Sequence, residues 1–113
     1  MSQITTHILD TTRGSPAFEV PVELSRQTEN GWETLAQGIT NDDGRIVGLL
    51  EKGRTLEAGC YRMNFDTQSY FRSNGDPVFY PHVDIVFQIP GNGQHYHIPL
   101  LLTAYGYSTY RGS

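Results

Sequence analysis

Four histidines, His7, His82, His95 and His97, are the side chains in this 113-residue chain with the most to offer at neutral pH. Imidazole has an ordinary pKa near 6.5, so it can take up and return a proton there. His95 and His97 stand two positions apart and would share one face of a strand. With a third ligand such a pair could hold zinc, but no His-x-x-x-His signature and no Cys-rich set accompanies it. Cys60 is the only cysteine, which excludes an internal disulfide, and its strand-like flanks predict a buried structural thiol. No Gly-x-Ser-x-Gly elbow or phosphate loop is present. A hydrolase without nucleophile motif or metal must activate water directly, with a base near neutrality and a fixed positive charge for the developing oxyanion. Histidine and arginine in one groove meet both needs. His82, which follows Pro81 at a strand start, reads as a surface or packing residue. Residue types alone leave two classes open, a hydrolase or a small-ligand binding module.

The elements that must position these groups are strands. Pro and Gly punctuate the chain about every ten residues, with β-rich runs between them. Strands are expected at Ile4–Asp10, closed by the turn Arg13–Pro16, then Val20–Arg26, Trp32–Thr40 after an Asn-Gly hairpin, and a short one at Arg45–Val47. Gly59–Asp66, His82–Ile89, Gln94–Leu102 and Tyr105–Tyr110 bring the number to about eight. Thr67–Ser73, with Gly75 just beyond, reads as one short helix. The pattern predicts an all-β sandwich in a single domain, residues 1–113. In Gln94–Leu102 one face carries Tyr96, Ile98, Leu100 and Leu102, and the other His95, His97, Pro99 and Leu101. Neither face is plainly solvated, which predicts an outer sheet surface covered by another subunit.

Charge and hydropathy exclude further classes. The net charge of −4 comes with scattered Lys and Arg, so no basic stripe for nucleic acid exists. No apolar run is long enough for a membrane span or a signal peptide. A reducing cytoplasm is the expected setting, or the periplasm if a leader has been removed.

Three segments carry a resemblance. Thr6-His7-Ile8-Leu9-Asp10-Thr11-Thr12-Arg13-Gly14-Ser15-Pro16-Ala17 resembles the amino-terminal signature of the transthyretin-like family. Asn41-Asp42-Asp43-Gly44-Arg45 resembles the turn that brings an arginine into the site of that family's enzyme branch. His95-Tyr96-His97-Ile98-Pro99-Leu100-Leu101-Leu102, continuing to the terminal Tyr110-Arg111-Gly112-Ser113, resembles its carboxy-terminal signature. The final tetrapeptide marks the enzymes rather than the hormone carriers. Ala104 stands where a proline is common, in a turn.

The resemblance implies a transthyretin-like β-sandwich of two four-stranded sheets, assembled as a homotetramer, a dimer of dimers with the site in the channel between dimers. It implies a cofactor-free hydrolase that opens the lactam ring of 5-hydroxyisourate to give 2-oxo-4-hydroxy-4-carboxy-5-ureidoimidazoline, on the way from urate to allantoin. Carried over by position, His7, Arg45 and His97 are the catalytic residues, without metal. His7, Arg45, Tyr110, Arg111, Gly112 and Ser113 bind substrate. His97 is the first choice for the base with His7 assisting, and the sequence leaves that division open. His95 is expected to support the site. The rival on the same scaffold is a carrier of an apolar aromatic ligand, against which the polar groups at His7, Arg45 and His97 count.

Overall fold

In β1 (Ile4–Asp10) every second side chain is buried: Ile4, Thr6, Ile8 and Asp10 face inward, while Thr5, His7 and Leu9 are half-buried on the other side. The same period of two runs through β5 (Gly59–Phe65), where Tyr61, Met63 and Phe65 enter the core. It recurs in β7 (Tyr96–Thr103), where Tyr96, Ile98, Leu100 and Leu102 do so. These inward faces meet between two sheets, so the chain is a β-sandwich. In this computed structural model, which describes residues 2–112, one sheet has the order β2-β1-β7-β8 and the other β4-β3-β5-β6. The remaining strands are β2 (Ser15–Pro16), β3 (Pro21–Thr28), β4 (Gly31–Ile39), β6 (Val83–Ile89) and β8 (Gly106–Thr109).

The helix α1 spans Thr67–Ser73, as the sequence predicts. Asp66 caps its start by accepting the Ser69 backbone N–H, and Gly75 follows its end with φ +70°. Tyr70 and Phe71 turn inward and seal one edge of the core. Among the described residues no helix is long and apolar enough to cross a membrane.

Three expectations need correcting. Arg45–Val47 is no strand: only Arg45 forms an isolated bridge, and Gly48 (φ +65°) turns the chain away. The eighth strand is instead Ser15–Pro16, read from sequence as part of a turn, which pairs with Leu9 and Asp10 after the chain reverses at Gly14. Cys60 is half-buried instead of sealed in the core, because Tyr61, Met63 and Phe65 take the inward positions of β5 and leave it facing outward.

Two pairings build the candidate site, one long-range and one a hairpin. β1 and β7 run parallel, with Thr5 opposite His97, His7 opposite Pro99 and Leu9 opposite Leu101. The antiparallel β7–β8 ladder runs from Thr103↔Gly106 to Leu100↔Thr109, and the same register reappears at the isolated bridge His97↔Gly112. Between these points stands Pro99, which has no N–H for a ladder. Its carbonyl accepts the Thr109 hydroxyl at 2.7 Å instead.

Candidate active site

The outer face of β1 and β7 carries the titratable groups, and two flanking segments wall it. On the β1 side, the loop at residues 41–45 is closed by Asn41. Its side-chain oxygen accepts the backbone N–H groups of Asp43 (2.9 Å) and Arg45 (3.1 Å). Gly44 has φ +75°, and a Cβ there would collide with the Ile8 carbonyl oxygen, so only glycine fits. The Gly44 carbonyl accepts the Ile8 N–H at 2.8 Å, which docks the loop on β1 and sets Arg45 beside His7.

On the β7 side the wall is the chain end. The Gly112 N–H donates to the His97 carbonyl at 2.8 Å. Strand alternation carries past the broken ladder, so Tyr110 and Gly112 fall on the cleft side. Arg111, between them, points the opposite way. Its guanidinium lies 4.8 Å from the centre of the Tyr96 ring and its Nη2 is 3.4 Å from the Gln94 side-chain oxygen. It lines a different cavity, between the β6 and β8 edges, of about 510 Å³.

The result is an open cleft of about 500 Å³ with His7, Arg45, His95, His97, Tyr110 and Gly112 in its walls. The structure thus brings together His7, Arg45 and His97 with two of the four tail residues named from sequence. Arg111 lines the other cavity, and Ser113 lies outside the described residues. His82 is exposed, outside the cleft, and faces Asp84, 3.7 Å away.

Every titratable group that lines the cleft, among the described residues, is an imidazole, a guanidinium or a phenol. Burial first, then the charge of Arg45 and the neighbouring imidazoles of His95 and His7, holds the His97 pKa below its ordinary value of 6.5. His97 is therefore neutral at pH 7 and can act as a base. Its Nδ1 is bonded to the Thr5 hydroxyl at 2.8 Å, and the same hydroxyl is 2.8 Å from His95 Nε2. The sequence already paired His95 with His97, whose ring centres lie 6.4 Å apart, but not Thr5 with them. Only the parallel β1–β7 register joins residues ninety positions apart, and no local pattern encodes it. No group of three or more His, Cys, Asp or Glu side chains among the described residues could hold a metal ion.

The chain matches known proteins over nearly its whole length. A family model described as the HIUase/Transthyretin family matches residues 4–112. A 5-hydroxyisourate hydrolase of Salmonella typhimurium is 44% identical over 110 residues, covering 97% of this chain and 80% of the relative. The solved structure of Klebsiella pneumoniae 5-hydroxyisourate hydrolase is 40% identical with a TM-score of 0.84, covering 97% of this chain and 98% of that one. Sea bream transthyretin, solved in complex with thyroxine, is 33% identical with a TM-score of 0.90, covering 98% and 95% respectively.

Proposed function

This chain belongs to the HIUase/transthyretin family, and on that footing we propose that it is a 5-hydroxyisourate hydrolase working through the cleft of His7, Arg45 and His97. The observation that carries the reading is the convergence of a neutral imidazole, a second imidazole and a guanidinium on one concave surface. A carrier of an apolar ligand has no use for that set.

In the proposed reaction His97 takes a proton from a water molecule as the water oxygen bonds to the lactam carbonyl carbon. The carbonyl oxygen becomes negative, and the Arg45 guanidinium stabilises it. A fixed cation in a partly desolvated site acts strongly on a charge that develops only in the transition state. The tetrahedral adduct collapses with cleavage of the carbon–nitrogen bond. The proton held at His97 goes to the departing nitrogen, which leaves the carboxylic acid of 2-oxo-4-hydroxy-4-carboxy-5-ureidoimidazoline, and this loses its remaining water-derived proton to solvent as the carboxylate. His7, beside Arg45 on β1, holds the substrate ring, and Tyr110 closes the cleft's end. The reaction is that of a cyclic amide hydrolase and requires no cofactor.

The assembly proposed is a homotetramer, a dimer of dimers. In one chain the cleft is open to solvent and Tyr110 is 59% exposed. Leu9 and Leu101 lie half-buried on the same face as His7 and His97. A facing copy would cover these apolar groups and turn the cleft into part of a channel.

The test is decay of the ultraviolet absorbance of freshly generated 5-hydroxyisourate. Catalytic amounts of protein should accelerate it far above the spontaneous rate. A rate equal to the spontaneous one, with the protein folded, would overturn the reading.

A further inference from the structure

The Thr5 hydroxyl sits between two imidazoles, 2.8 Å from His97 Nδ1 and 2.8 Å from His95 Nε2. A hydroxyl has one proton to donate and can accept at its oxygen. With both rings neutral, the three groups satisfy one another in two ways. In one, Thr5 donates to His97 and accepts from His95, which leaves His97 Nε2 carrying a hydrogen. In the other, His97 Nδ1–H donates to Thr5 and Thr5 donates to His95, which leaves His97 Nε2 with a free lone pair.

The cleft distinguishes the two. The rest of the His97 ring opens on a cavity that Arg45 also lines, with His7, His95 and the Tyr110 phenol as the other titratable groups facing it. A lone pair directed at that cationic cleft is favoured over an N–H dipole of the same sense. His97 has no other side-chain hydrogen bond among the described residues, so this contact is the one that fixes its tautomer.

We propose that Thr5 is a positioning residue that holds His97 in the tautomer protonated at Nδ1, and that it links His97 to His95 as a proton relay. The proposal rests on the hydrolase reading for its chemistry, and the bridge itself is geometric. As water attacks the carbonyl carbon, its proton passes to His97 Nε2. The Nδ1 proton of His97 then moves to the Thr5 oxygen while the Thr5 hydroxyl proton moves to His95 Nε2. The positive charge thereby moves from half-buried His97 to His95, which is exposed. The steps reverse when the departing nitrogen takes its proton, so Thr5 and both histidines end as they began.

The experiment uses the full chain and the variants Thr5→Val, Thr5→Ser, His95→Phe and Thr5→Val/His95→Phe. Long-range proton–nitrogen NMR at pH 7.5 reads the His97 tautomer without substrate. The wild type and Thr5→Ser should show Nδ1 protonated, and Thr5→Val a mixture. In turnover Thr5→Val should lower kcat roughly tenfold to a hundredfold with KM little changed, a share of the ~10²–10⁴ that a positioned base supplies. Thr5→Ser should stay close to wild type, because it keeps the hydroxyl. The double variant should be no slower than the more impaired single, since both break one chain. A wild-type His97 protonated at Nε2, a Thr5→Val enzyme of normal kcat, or additive losses in the double variant would each overturn the relay. A wild type that fails to hydrolyse 5-hydroxyisourate overturns the functional reading and the relay with it, while the His97 tautomer still decides the bridge.

Discussion

Gly112 lies so close to His97 that a Cβ added to it would stand 2.6 Å from Cδ2 of the imidazole and 3.2 Å from Cγ. The chain end thus packs edge-on against the ring proposed as the base, and the Gly112 N–H holds the His97 carbonyl from the same side. Glycine is required at this position by close approach, not by a left-handed backbone.

Gly112→Ala should therefore damage catalysis without unfolding the protein. The ring must swing away from the new methyl group, and a displacement near 1 Å at a reacting group costs about a hundredfold. Steady-state kinetics beside thermal melts check this. The expected result is a large loss of kcat with Tm within a few degrees of wild type, and undiminished turnover would contradict it.

The pH dependence follows from the environment of His97. Burial first, then Arg45, His95 and His7, holds its pKa below the ordinary value. Activity should accordingly persist below pH 6.5 and fall only as pH drops through the lower folded value. Above pH 6.5 folded and unfolded chains both carry neutral His97, and its contribution to stability is complete. Below that, the unfolded chain binds the proton first, so stability declines as pH falls. NMR titration of His97 should give a midpoint under 6.5, raised by Arg45→Gln but still depressed by burial. A wild-type midpoint above 6.5 would contradict this.

How much of this was legible follows from the range of the interactions. The helix at Thr67–Ser73 is encoded locally by Asp66 before it and Gly75 after it, and the sequence located it correctly. Alternation identified which residues of β1 and β7 share a face, and also separates Arg111 from Gly112, while Tyr110 borders both cavities. Arg45–Val47 read as a strand because its side chains suit one, but docking on β1 involves Arg45 alone. The Thr5 bridge depends on a strand partner more than ninety positions away in sequence, so it was not visible there.

Asp10 ties the site-bearing strand to the helix. Its buried carboxylate is penalised by desolvation, yet its pKa is lowered, because the Tyr70 hydroxyl at 2.6 Å and the Arg13 N–H and guanidinium, each at 3.0 Å, outweigh that cost. Hydrogen bonds to a charged group are worth about 1.5–3 kcal/mol. Tyr70→Phe should lower stability by that amount in urea denaturation and leave kcat near wild type. Unchanged stability would remove Asp10 from its structural role.

Metal removal should have no effect. Protein dialysed against a strong chelator is expected to keep its full rate, since in the proposed mechanism His97 activates water and Arg45 meets the oxyanion. A rate lost on dialysis and restored by zinc would instead assign His95 and His97 as ligands.

The central claim is that His97, with Arg45 and His7, carries the hydrolysis, and the most direct measurement compares wild type, His97→Ala, Arg45→Ala, His7→Ala and His82→Ala in the 5-hydroxyisourate decay assay. All three cleft side chains lie on an outer face and fill no core position, so these variants should remain folded. The predicted result is a rapid wild type, a loss of at least about a hundredfold in His97→Ala, most activity gone in Arg45→Ala and His7→Ala, and His82→Ala near wild type. Near-wild-type turnover in folded His97→Ala, or in any two of the three cleft variants, would contradict the account.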